Sequence, residues 1–259
     1  MFNNLSEEDF AALRGSFESG RQSPSSFGGI LILSVFLQGL MFTLTYVAVG
    51  GSTYFPNKTI ISIIHLVITV IFILLAIIFS IPSVYMKYQK AQYFLSILIS
   101  QNLFGVYFYV AALFLIGSDL AGGDQTIESL MTLTYVTLII GILIFVTTFI
   151  RFYKLLQKGE YRKGSKKDSL RGRFETKSYV PIAIIGGLGI VYIIQHIARN
   201  TYTVDVNMIT IILIGPLLFY AMLFVLPEQL VILYCKHRFE SFNYDQKGNL
   251  KPLGTRKGA

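Results

Sequence analysis

The polar and apolar positions of this chain fall into long blocks, not into the short alternating runs of a water-soluble core. Residues 1–26 are polar. Apolar blocks then cover about 27–50, 59–81, 92–117, 129–150 and 179–198. A sixth begins near Asn207 and runs to about 226, or to 235 if it is long or broken at Gly215-Pro216. A helix needs roughly 20 apolar residues to cross the hydrocarbon of a bilayer, and each block is about that long. The pattern predicts an all-α polytopic integral membrane protein with six transmembrane helices.

The first 26 residues hold one periodic stretch. Ser6 followed by Asp9 has the spacing of a capping box, and Leu5 and Phe10 that of a hydrophobic staple. Phe10, Leu13 and Phe17 repeat on one helical face. A short N-terminal amphipathic helix over 7–18 is expected. It carries Glu7, Glu8, Asp9 and Glu18 against Arg14 alone. Such an acidic helix is poorly suited to an anionic lipid surface and better suited to basic protein segments. The opening residues lack the basic region and short apolar core of a cleavable leader.

Charge orients the spans. Of the 22 Lys and Arg, two lie in the N-terminal tail, two in 82–91, ten in 151–178 and six in 236–259, leaving only Lys58 and Arg199 elsewhere. Basic residues collect in cytoplasmic loops. The alternation fits an N-in/C-in arrangement with external connections at 51–58, 118–128 and 199–206. Three parts follow: a cytoplasmic tail over 1–26, a transmembrane domain over 27–235 that includes the basic loop 151–178, and a basic tail over 236–259. The net charge of +8 is explained by this asymmetry, so nucleic acid is not an expected partner. An anionic inner leaflet is. The basic loop, with Lys154, Lys158, Arg162, Lys163, Lys166, Lys167, Arg171 and Arg173, is a candidate surface for lipid or a protein partner.

Candidate chemistry is sparse. Glu228, followed by Gln229, lies near the end of the sixth span, either inside the membrane or ion-paired at its interface. An intramembrane carboxylate is by default a functional hypothesis. Gln101 and Asn102 sit near the middle of span three and must face other helices, because lipid cannot satisfy them. His65 and His196 fall at similar outer depth in spans two and five, but no His/Cys spacing of a metal site accompanies them. Asp119, Asp124, Glu128 and Asp205 form a candidate external acidic face. Gly186-Gly187-Leu188-Gly189 is no dinucleotide fingerprint, since no strand–turn–helix unit fits inside a span. Thr137 with Gly141, and Ala183 with Gly187, are small-residue packing faces. The single cysteine, Cys235, permits no internal disulfide.

No nucleophile–base cluster or cofactor motif is present, so a non-catalytic protein without cofactor or metal is expected. The leading expectation is a plasma-membrane immunity or accessory factor for a secreted toxin, bacteriocin or secretion system. The Ile-, Phe- and Lys-rich composition suits a bacterium with an AT-rich genome. The alternative is the membrane permease subunit of a transporter, with an ATPase as partner. Six N-in/C-in spans preceded by an amphipathic helix resemble permeases of the ABC-2 type. That resemblance covers topology alone and carries no residue motif. It departs from the pattern in the short 82–91 connection, where a coupling helix for the ATPase is expected.

Overall fold

The computed structural model describes residue 2 and residues 4–118, 126–170 and 206–254, with the side chains of 206–209 excepted. Most of these residues are helical, and the described part contains five helices long and apolar enough to cross a membrane. The expected fifth span, 179–198, lies outside them.

A 3-10 helix over Glu7–Arg14 leads into α1, Gly15–Glu18. As the sequence predicts, Asp9 reaches back to Ser6, accepting from its backbone N–H at 2.8 Å and its hydroxyl at 3.0 Å. Helix α2, Pro24–Phe42, begins with Pro24 in the first turn and Ser23 as its cap. It continues through a π-helical turn, Thr43–Val49, and a 3-10 turn, Gly50–Ser52. Helix α3 spans Lys58–Ser80. It stops because Pro82 forces Ile81 into an extended conformation (ψ 127°). Pro82 then opens the short α4, Pro82–Lys87. Helix α5, Gln89–Ser100, passes through a second π-helical turn, Gln101–Val106, into α6, Tyr107–Ile116.

Helix α7, Ile127–Gln157, runs beyond its expected end at Arg151. Helix α8, Val206–Arg238, runs unbroken through Pro216 and Pro227, so the longer of the two expected ends is the observed one. Both extensions have the same cause. Phe152 and Leu156 of α7 and Val231, Ile232 and Cys235 of α8 are buried together, and that packing holds the final turns helical.

Two layers of core result. Between the spans, Leu31, Tyr46, Leu95, Ile99, Leu103, Tyr107 and Phe114 are buried, while α2, α3 and α7 present Ile, Leu and Val outward along most of their length. Outward apolar surface of this extent is what a lipid solvent requires and what a water-soluble monomer avoids. The second core is a cap at the end of the bundle that carries both termini. Phe10, Leu13 and Phe17 pack there against Tyr93, Phe242 and Tyr244. The N-terminal segment and the described residues after α8 pack on one another: neither has enough apolar residues for its own core, and they pool them. Polar contacts pin the assembly. Asp9 pairs with Arg162 at 2.7 Å, Arg14 donates to the Lys251 carbonyl at 2.9 Å, and Arg238 donates to the Phe2 carbonyl at 2.6 Å. The Gln89 side chain exchanges two hydrogen bonds with the Tyr244 backbone. At the opposite end, Lys58 donates to the carbonyls of Thr53 and Gly50, which ties the connection between α2 and α3.

Candidate functional site

The most ordered polar constellation within the spans is centred on His65. Along α3, His65, Thr69 and Ala76 are buried while Ile63, Ile64, Val67, Ile71 and Leu74 face outward. Residues four apart share a helical face, so the interior face of α3 is its polar one. The same inversion holds on α2, whose buried stripe is Leu31, Ser34 and Gln38, continuing to Thr45 in the π-helical turn.

Three helices meet at His65. Its Nδ1 lies 2.6 Å from the Tyr46 hydroxyl, and its Nε2 lies 2.8 Å from Asn102 Oδ1. An amide oxygen only accepts, so Nε2 carries a proton. Nδ1 then accepts from Tyr46, and a neutral imidazole satisfies both bonds. The Tyr107 ring stacks on the imidazole with centroids 4.3 Å apart, and its hydroxyl meets Thr69 Oγ1 at 2.6 Å. Tyr46 and Asn102 each sit in one of the two π-helical turns. Such turns break the regular helical register and recur at functional sites. Asn102 Nδ2 in this cluster, the Thr45 hydroxyl beside Tyr46 and, farther along α2, both polar atoms of the Gln38 amide are buried with no hydrogen-bond partner among the described residues. A buried polar group left in that state costs about 1–3 kcal/mol.

The remaining sequence candidates separate. Gln101 turns away from Asn102 and donates to the Met222 carbonyl at 3.1 Å and to Gln229 Oε1 at 3.3 Å, tying the middle of α5–α6 to α8. Glycines allow close approach there: a Cβ on Gly215 would stand 2.4 Å from the Phe108 carbonyl oxygen. Gly141 likewise lies under Leu223 and Phe219, which makes the Thr137–Gly141 face a packing face. Glu228 lies ten residues before the end of α8, about 15 Å along the helix at 1.5 Å per residue. It lines a groove of about 380 Å³ between α7 and α8 together with Arg151, Tyr161 and Lys167.

In the basic loop, Lys154, Lys158, Lys163 and Lys166 are exposed. Arg162 is engaged by Asp9, and Lys167 lies 4.7 Å from the centre of the Tyr161 ring. Burial raises the Asp9 carboxyl, but the hydrogen bonds from Arg162 and Ser6 outweigh it and hold Asp9 below its ordinary value. Glu128 is exposed in the first turn of α7. His196, Asp119, Asp124, Asp205, Arg171 and Arg173 lie outside the described residues, so a His65–His196 pair has no geometry to report. Among the described residues, no group of three or more His, Cys, Asp or Glu side chains is placed to hold a metal ion.

Sequence reasoning missed Tyr46, Thr69, Tyr107 and Gln38. A signal was present for two of them: Ser34, Gln38 and Thr45 repeat on one face of α2, and His65 and Thr69 on one face of α3. The chain matches no known protein family, no curated protein and no solved structure.

Proposed function

We propose that this chain is a plasma-membrane protein of six spans with both ends in the cytoplasm. It acts by binding rather than by catalysis, as an immunity or accessory factor for a secreted toxin, bacteriocin or secretion system. The observation that carries this reading is the cap. The N-terminal helix, the turn after α7 and the tail after α8 fold onto one another at the basic end of the bundle, making a preformed surface with exposed lysines. Such a surface suits a protein partner, because the ordering cost of its segments is already met before association. Topology is supported by the charge asymmetry. It is also supported by α7 and α8, which both end in the cap, and by the length of the apolar stretch 179–198, which matches that of a span.

Cysteines placed at Ser52, Gly123 and Thr201 should label from outside intact cells, and cysteines at Ser165 and Gly254 should not. Outside labelling at Ser165 overturns the orientation. For the role itself, cells expressing the chain should survive challenge with a secreted toxin encoded at the same locus, and cells lacking it should not. Changing Asp119→Asn, Asp124→Asn and Glu128→Gln together separates two versions of this role. Lost protection at normal surface expression supports recognition from outside, and undiminished protection moves recognition into the membrane or the cap.

A second reading, the permease subunit of a transporter, is favoured by the unpartnered polar atoms of Gln38, Thr45 and Asn102 inside the spans. A solute passing through would give these groups partners. Helix α4 also stands between the second and third spans, where that layout expects an ATPase contact. Under this reading Glu228→Gln should abolish transport while the protein still inserts and folds. Normal transport in that variant removes Glu228 from the site.

A further inference from the structure

One cavity stands apart from the His65 cluster and from the basic loop after α7. It has a volume of about 600 Å³ and opens between the start of α5 and the end of α8, at the edge of the cap. Lys87, Lys90 and Lys251 line its polar end, with one carboxylate, Glu240. Glu240 accepts from Lys251 at 2.7 Å and lies 3.8 Å from Lys90. It therefore holds two ammonium groups in fixed positions without neutralising the set. Both lysine side chains keep about a third of their surface exposed, at 34% and 29%, so a ligand can still reach them. Lys87 is exposed beside them, over the Tyr88 ring at 5.3 Å.

The other wall is apolar. Phe94 lies five residues inside α5, and Leu233 lies five residues before the end of α8. At 1.5 Å per residue each stands about 7 Å deeper along its helix than the lysine end. Phe94 is 46% exposed toward the surface that lipid contacts. The cavity thus presents cations at the membrane boundary and an apolar wall running into the bilayer. A free phosphate would use only the first half of that surface. An amphiphile would use both.

We propose that this cavity is a binding site for an anionic phospholipid, with the phosphate-bearing headgroup on Lys87, Lys90 and Lys251 and the start of the acyl chains against Phe94 and Leu233. Basic pockets between membrane helices at this depth recognise lipid headgroups through the same charge complementarity. The proposal needs the protein to be membrane-embedded, but it is independent of the immunity and permease readings and of the orientation of the spans.

The test uses the full-length, delipidated protein in non-ionic detergent, titrated with phosphatidylglycerol and separately with phosphatidylcholine of the same chains, with bound lipid counted by native mass spectrometry. Phosphatidylglycerol should bind at least about tenfold more tightly, and Lys87→Gln should weaken it by about fivefold. Lys87 is exposed over the Tyr88 ring and makes no ion pair or side-chain hydrogen bond among the described residues, so this variant should keep the wild-type melting midpoint. Lys154→Gln with Lys158→Gln, on the other basic surface, should leave the affinity within about twofold, because headgroup attraction falls off over a Debye length. Equal binding of the two lipids, or unchanged affinity in the Lys87 variant, overturns the proposal. So does an equal loss in the Lys154/Lys158 control. Competition by glycerol 3-phosphate at the same concentration as the lipid also overturns it, assigning the site to a soluble phosphate. Because binding is read in detergent, a failure here speaks to the cavity alone, while a failure of the labelling experiment speaks to orientation alone.

Discussion

The cap and the spans are built on opposite rules. In the cap, Phe10, Leu13, Phe17 and Phe242 form the buried interior, Asp9, Arg14 and Lys236 are buried beside them with polar partners, and Lys154, Lys158, Lys163 and Lys166 stand exposed, as water demands of a folded core. In the first two spans the arrangement is reversed: α3 shows isoleucine, leucine and valine to its surroundings and buries His65 and Thr69. Lipid is as apolar as leucine, so burying an aliphatic side chain between spans gains little. Association there comes from close packing and interhelical hydrogen bonds. One molecule therefore has two cores with two sources of stability. A substitution that is severe in one should be mild in the other.

The largest expected effect lies in the cap. Phe242 is fully buried, so Phe242→Ala should cost about 3–5 kcal/mol. It should appear as a lower melting midpoint of the purified protein and as new proteolytic cleavage within residues 1–26. Ile63→Ala on α3, where the side chain is 57% exposed to lipid, should leave the midpoint almost unchanged, because lipid tails occupy the space released. Equal effects at the two positions would erase the distinction between the cores.

Within the spans, packing should outweigh polarity. A methyl group on Gly215 would meet the Phe108 carbonyl oxygen at 2.4 Å and Ala112 Cβ at 2.6 Å, neither of which can swing aside. Gly215→Ala should cost about 1–3 kcal/mol by overpacking α6 against α8. The same change at Gly141 should cost less, because its nearest neighbour is the end of the flexible Leu223 side chain. Asn102→Leu removes the acceptor from His65 and should cost about 0.6–2 kcal/mol. A double-mutant cycle with His65→Phe should return a coupling of similar size. A coupling near zero would mean that the cluster does not hold α3 to the π-helical turn between α5 and α6.

The smallest effect is electrostatic. Asp9 is held below its ordinary 3.8 in the folded protein. A carboxyl lowered on folding adds stability above its unfolded value, and that stability is lost as pH falls through the folded value. The Asp9–Arg162 pair should therefore contribute at neutral pH and fade below about pH 4. Arg162 is 61% exposed, so screening keeps the contribution within about 0–1 kcal/mol. Asp9→Asn should lower the midpoint slightly at pH 7, with the difference shrinking as pH falls below about 4 and in high salt.

The sequence by itself determined which of the described stretches form long apolar helices and, to within a few residues, where they begin. Blocks of apolar residues are a local property and need no partner to be recognised. Its charge pattern also singled out the end at which the tails and the basic loop gather. Even the contact between the acidic N-terminal helix and the basic loop was legible, because opposite charge is readable without coordinates. Tertiary structure decided where α7 and α8 end, since the turns past Arg151 and Pro227 persist only through packing in the cap. It also decided the site. His65, Gln101 and Asn102 were visible as polar residues in apolar surroundings. Their partners Tyr46, Thr69 and Tyr107 were not, because tyrosine and threonine are ordinary residues of a span until another helix brings a hydrogen-bonding atom within reach. Two neighbours in sequence, Gln101 and Asn102, serve different helix pairs, and only the rotation of α5 among its neighbours assigns each its partner. Composition tells a residue which solvent it can bear. The relative placement of helices tells it what it touches.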